Sequence, residues 1–90
     1  MTDTKMTIND LLKERGGTHG VFAIQARTTQ DIKDILHSSP NWHRMTAGQH
    51  EALESVAIKL GRMVCGDHNY ADHVDDIIGY LRLYQEVLPK

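Results

Sequence analysis

The chain has ninety residues, of which 40% are hydrophobic and 24% charged, with a net charge of −2 and a pI near 6.3. Those numbers allow one domain with a small core, and they exclude a general binder of nucleic acid or of anionic membrane surfaces. The single cysteine, Cys65, excludes an internal disulfide and fits a reducing compartment, and no apolar run approaches the roughly 20 residues that span a bilayer.

In chain order, Met1–Met6 has no apolar core, reads as no signal peptide, and is expected to fray. A domain over residues 7–90 follows. Thr7-Ile-Asn-Asp10 has the form of a helix start, a Thr cap with an acid three residues on. The pattern predicts a first helix carrying Ile8, Leu11 and Leu12 that stops at Gly16-Gly17. A second helix is expected from about 21 to 37, with Val21, Ile24, Thr28, Ile32, Ile35 and Leu36 on one buried stripe. Ser38-Ser-Pro40-Asn breaks it, and Trp42 in the following loop is expected to anchor a core edge.

Thr46-Ala-Gly-Gln49 is a capping-box pattern that opens a third helix. Its expected apolar face is Leu53, Val56, Ala57, Leu60, Met63 and Val64, with Glu51, Glu54, Ser55, Ile58 and Arg62 opposite. Gly66-Asp67 ends it, and Asn69 is expected to cap a fourth helix that runs to about Val87, with Val74, Ile77, Ile78, Leu81 and Tyr84 inward. No segment alternates with period two. The expected fold is therefore all-α, a small bundle of about four helices whose last two form an antiparallel hairpin and whose core is completed by oligomerisation.

Chemistry concentrates in two carboxylate pairs at one spacing, Glu51/Glu54 and Asp72/Asp75, with Asp76 directly after the second. Residues three or four apart share a helix face, and hard cations such as Mg²⁺ and Mn²⁺ prefer carboxylate oxygens. The same acids also fit a solvated face with one acid favourably placed near a helix start. Three features favour a covered, cation-holding face. Ile58 and Leu83 interrupt polar surfaces, Gly79 implies a close approach, and Asp72, Asp75 and Asp76 repel one another. Lys59 and Arg62 flank the acids as candidate phosphate contacts or as ordinary helix residues. Of the six histidines, His19 stands out in its Thr-His-Gly loop, and His68 and His73 read as surface residues. Their spacings match no zinc motif.

The stretches Leu11-Leu-Lys-Glu-Arg-Gly-Gly-Thr-His-Gly20, Leu36-His-Ser-Ser-Pro-Asn-Trp42, Glu51-Ala-Leu-Glu-Ser-Val-Ala-Ile-Lys-Leu-Gly-Arg62 and Gly66-Asp-His-Asn-Tyr-Ala-Asp-His-Val-Asp-Asp-Ile-Ile-Gly-Tyr80 resemble a family of small phage and prophage proteins related to the MazG-like all-α nucleotide pyrophosphohydrolases. The resemblance implies a metal-dependent enzyme that uses Mg²⁺ or Mn²⁺ to cleave (d)NTPs into monophosphate and pyrophosphate, working as a homo-dimer or homo-tetramer. It would act in the bacterial host cytoplasm, with no membrane and no direct DNA binding. Glu51 and Glu54 match the family's first acid pair and Asp72 with Asp75 its second by spacing, whereas the small phage family favours Asp72 with Asp76, which leaves Asp75 and Asp76 as alternative ligands. On that match Glu51, Glu54, Asp72 and Asp76 would be catalytic, and the same four with Asp75 would hold metal. His19, Lys59 and Arg62 would meet substrate. The chain departs from the pattern at Asp72, where a Glu is usual, at Val21, where an acid is usual, and at Val74, where an aromatic is usual. The alternative is a non-catalytic phage accessory protein that binds a host protein or sequesters a nucleotide.

Overall fold

The computed structural model describes residues 7–90, so the expected frayed segment over 1–6 lies outside the described residues. The chain is a small all-α bundle of α1 (Ile8–His19), α2 (Phe22–His37), α3 (Ala47–Cys65) and α4 (Ala71–Glu86), with a 3₁₀ turn at Trp42–Arg44. Among the described residues there is no strand. Both expected caps form as full capping boxes. Thr7 and Asp10 exchange hydrogen bonds at the start of α1, and Thr46 and Gln49 do so at the start of α3, which satisfies backbone N–H groups that have no partner within the helix.

Two boundaries differ from expectation. The first helix does not stop at Gly16-Gly17 but continues through both to His19, because a helix tolerates glycine at about 1 kcal/mol each and nothing crowds either position. The stop is Gly20, which takes φ +87°, and a side chain there would run into the Cys65 carbonyl. At α4 the residue before the helix is Tyr70 and not Asn69. Asn69 N–H instead donates to Asp67 Oδ1 within the turn, so Asp72 falls at the second helical position.

α3 is the centre of the bundle, packed between α2 and α4, and α1 touches it more lightly. Small residues set the distance between α2 and α3. At Gly61 a Cβ would clash with Thr29 Oγ1, and Ala52 and Ala57 are buried along the same helix. The buried Gln25 and Thr29 satisfy each other, Gln25 Nε2 donating to Thr29 Oγ1 at 2.9 Å. Cys65 is half-buried, as its small size suggests, with Sγ 3.3 Å from Thr28 Oγ1.

The inward faces are turned from those read off the pattern. In α4 the inward stripe is His73, Ile77, Tyr80 and Tyr84, while Val74, Ile78 and Leu81 are exposed. In α3 the expected core residues Leu60 and Val64 face out, Ser55 is buried, and Ile58 and Arg62 are half-buried. In α2 Val21, Ile24 and Ile35 are exposed. The reason is the close packing through glycine and alanine, which brings small and polar residues inward and leaves the larger apolar side chains on outer faces. Gly79, expected at a close approach, has open space around it in one chain.

Candidate functional site

The α1–α2 connection locks against the α3–α4 turn. Thr18 C=O accepts the Asp67 N–H at 3.1 Å and His73 Nε2–H at 2.9 Å. A carbonyl only accepts, so His73 carries a proton on Nε2. Gly66 lies so close to the Thr18–Gly20 backbone that no Cβ fits. His73 is 2% exposed, which corrects its reading as a surface histidine: its polar edge is satisfied by a carbonyl 55 positions away in sequence. Tyr70 closes on it edge-on at 4.9 Å.

This junction holds a group of basic side chains around His19. His19 packs against His73 with ring centroids 5.3 Å apart. Burial, then the charges of Arg62, His73, Lys59 and Arg15, hold the His19 imidazole below its ordinary value of 6.5. His19, Arg15 and Arg62 line one cavity of about 510 Å³, with Gln25 on α2 and an apolar wall of Leu12, Val21 and Phe22. Arg62 Nε–H is buried without a hydrogen-bond acceptor among the described residues. A guanidinium N–H in that position is a demand for an acceptor, and an anion satisfies it better than a neutral oxygen. The cavity thus brings two arginines and a histidine together with an apolar wall that includes the exposed Phe22.

Of the candidates from sequence, His19 and Arg62 share this cavity, and Lys59 lies close enough to act on His19. Lys59 also forms an ion pair with Asp76, Nζ to Oδ2 at 2.9 Å, the neighbouring-acid role open to it from sequence. That bond holds the Asp76 carboxyl below its usual range. Asp72 sits beside Tyr70 and raises its phenol by hydrogen bonding and charge. Asp75 is exposed and takes part in no ion pair among the described residues. Arg15 is the residue the sequence reading missed. Its signal was present as the i, i+4 partner of His19 on a helix that continues through Gly16-Gly17.

The two acid pairs do not meet within one chain. Lys59 lies opposite Asp76 and Gly48 lies against Val87, so a single antiparallel register runs along the hairpin. In that register Glu54 is level with Leu81, Asp76 is level with Lys59, and Asp72 is level with Met63. At 1.5 Å per residue Asp76 and Asp72 are offset from Glu54 by about 7.5 and about 14 Å along the axis. Glu54 instead lies 3.5 Å from His37 Nε2, toward the open end of the hairpin. There Trp42 stacks on His50 at 4.1 Å and contacts His37 at 4.9 Å, and His50 Nε2–H donates to Trp42 C=O at 2.6 Å. Trp42 is the expected anchor. Among the described residues no three His, Cys, Asp or Glu side chains gather closely enough to hold a metal ion.

No protein-family model matches this chain, and neither does any curated protein or solved structure. No helix among the described residues is long and apolar enough to cross a membrane.

Proposed function

We propose that the protein binds the phosphate chain of a nucleotide at the Arg15–His19–Arg62 cavity and is a nucleotide pyrophosphohydrolase-like protein of phage descent. The observation that carries the binding step is one cavity lined by Arg15, His19 and Arg62 with an apolar wall, beside an Arg62 whose Nε–H is buried without an acceptor among the described residues. The guanidinium groups of Arg15 and Arg62 meet phosphate oxygens in the forked geometry that suits them. Phe22 and Leu12 cover a base or sugar face. The reaction class comes from the resemblance alone: a nucleoside triphosphate and water give the monophosphate and pyrophosphate.

The acids of one chain do not gather as a ready-made set of three ligands among the described residues, so no step is derived through the cation that class requires. Its site, from Glu51, Glu54, Asp72, Asp75 and Asp76, depends on a second copy to bring acids together. Self-association has support in the surface. The outward Leu60, Val64, Val74, Ile78 and Leu81 supply an apolar face for a dimer or tetramer.

One observation favours a second reading, nucleotide sequestration without turnover. Lys59 already neutralises Asp76, and Glu54 faces His37 instead. The two readings separate in one assay. Monophosphate and pyrophosphate are followed from a panel of NTPs and dNTPs with Mg²⁺ or Mn²⁺, using wild type and Asp76→Ala. Metal-dependent release lost in the variant supports the enzyme. Nucleotide that binds and is recovered intact from folded protein supports sequestration and rules out the enzyme.

A further inference from the structure

One group in the cavity can change charge near neutral pH, and every element packed around it bears on that charge. His19 ends α1, with Arg15 one turn before it on the same face. α3 supplies Arg62 and Lys59, the latter paired with Asp76 of α4. α4 also supplies His73, ring to ring at 5.3 Å, and α2 contributes the uncharged Phe22 and Gln25 to the cavity. We propose that the cavity takes up a tetrahedral dianion, such as a terminal phosphate, together with one proton from solvent that lodges on the His19 imidazole. This deepens the phosphate-binding reading and rests on it.

The argument is one of charge balance. In the free protein His19 is half-buried beside two guanidinium groups, and protonation would add a further positive charge to that group. A dianion seated between Arg15 and Arg62 offsets their two positive charges beside His19. The imidazolium then gains a charge-assisted hydrogen bond to an oxyanion in place of repulsion. No bond other than N–H forms: the ring nitrogen's lone pair takes the proton, and the ligand leaves chemically unchanged. Binding and protonation are linked, so each unit by which the ligand raises the His19 midpoint is tenfold in affinity for the protonated form. The ligand is therefore held more tightly as pH falls through the region of 6.5 and released as it rises.

Sulfate is the probe, because it stays a dianion over this range and cannot itself take the proton. Imidazole ¹H–¹³C and arginine Nε–H resonances are followed from pH 5 to 8 in sulfate and in chloride of matched ionic strength, which controls for screening. The expected result is a shifted Arg62 Nε–H resonance and a His19 midpoint that lies below 6.5 in chloride and moves up by about one unit in sulfate. If sulfate shifts Arg62 while the His19 midpoint stays in place, the proton linkage is wrong and the phosphate site stands. If neither resonance responds, the phosphate site fails and the linkage falls with it. His19→Gln, folded by circular dichroism, should bind sulfate with no pH dependence between 5 and 8. A dependence that survives in that variant overturns the proposal.

Discussion

The two ends of the α3–α4 hairpin are built on different principles. At the turn end, glycines carry the backbone so close that Thr18, His19 and Gly20 touch Gly66 and Asp67, and basic side chains crowd one cavity. At the open end, aromatic rings do the packing: Trp42 lies on His50 and His37, and an acid, Glu54, faces His37. One end is rigid, cationic and has an unmet hydrogen-bond donor, whereas the other is satisfied within itself. The difference teaches that equal spacing of acids along two helices fixes which face they share and says nothing of how high they stand on it.

The largest expected effect breaks the turn end. Gly20→Ala forces a side chain into a φ of +87° and against the Cys65 carbonyl, and it should cost about 3 kcal/mol or more in urea unfolding. Next comes the N-terminus of α2, where Val21 offers no side-chain acceptor to the first turn. Val21→Asp should add about 1 kcal/mol of stability as a cap. It should also weaken anion binding, since Val21 lines the cationic cavity. Opposite signs in unfolding and in nucleotide titration would sharpen the picture of a cavity whose electrostatics favour ligand at some expense of stability.

How much of this was legible in the sequence follows from the same contrast. The helices were readable because their signals are local: Thr7 with Asp10, Thr46 with Gln49, and stripes at helical spacing. The inward faces were not. Gly61, Ala52 and Ala57 weigh little in an apolar pattern yet decide where α2 and α3 touch, and so Val64 and Ile78 ended outside. His73 looked like a surface residue because its acceptor, Thr18 C=O, is remote in sequence. His19 and Arg62 could be singled out as candidates, but their meeting with Arg15 needed the helix to pass through Gly16-Gly17. The separation of Glu54 from Asp72 needed the hairpin register, which spacing does not contain.

A smaller effect probes the outer surface. Gly79→Ala meets open space in one chain and should stabilise the monomeric fold by up to about 1 kcal/mol. A loss of self-association in sedimentation would instead place Gly79 in the contact between copies. The smallest effect is in pH. The lowered His19 favours the folded state above 6.5, and that contribution is lost as pH falls from 6.5 to its folded midpoint. Asp76 is also lowered, and its contribution is complete above its ordinary 3.8 and lost as pH falls below that through its folded midpoint. Thermal melts across pH should therefore show two separate declines on acidification, with the upper one absent in His19→Gln.

The most direct measurement is calorimetric titration of a nucleoside triphosphate panel, with inorganic tripolyphosphate as the base-free control, into wild type, Arg62→Gln and Arg44→Gln. Each variant removes one positive charge, Arg62 at the turn end and Arg44 beside the open end. Binding that weakens about 10- to 100-fold in Arg62→Gln, the loss of a charge-assisted hydrogen bond, and stays near wild type in Arg44→Gln is the expected result. Equal affinities in the two folded variants, or no binding by wild type, would contradict a phosphate site at the turn end.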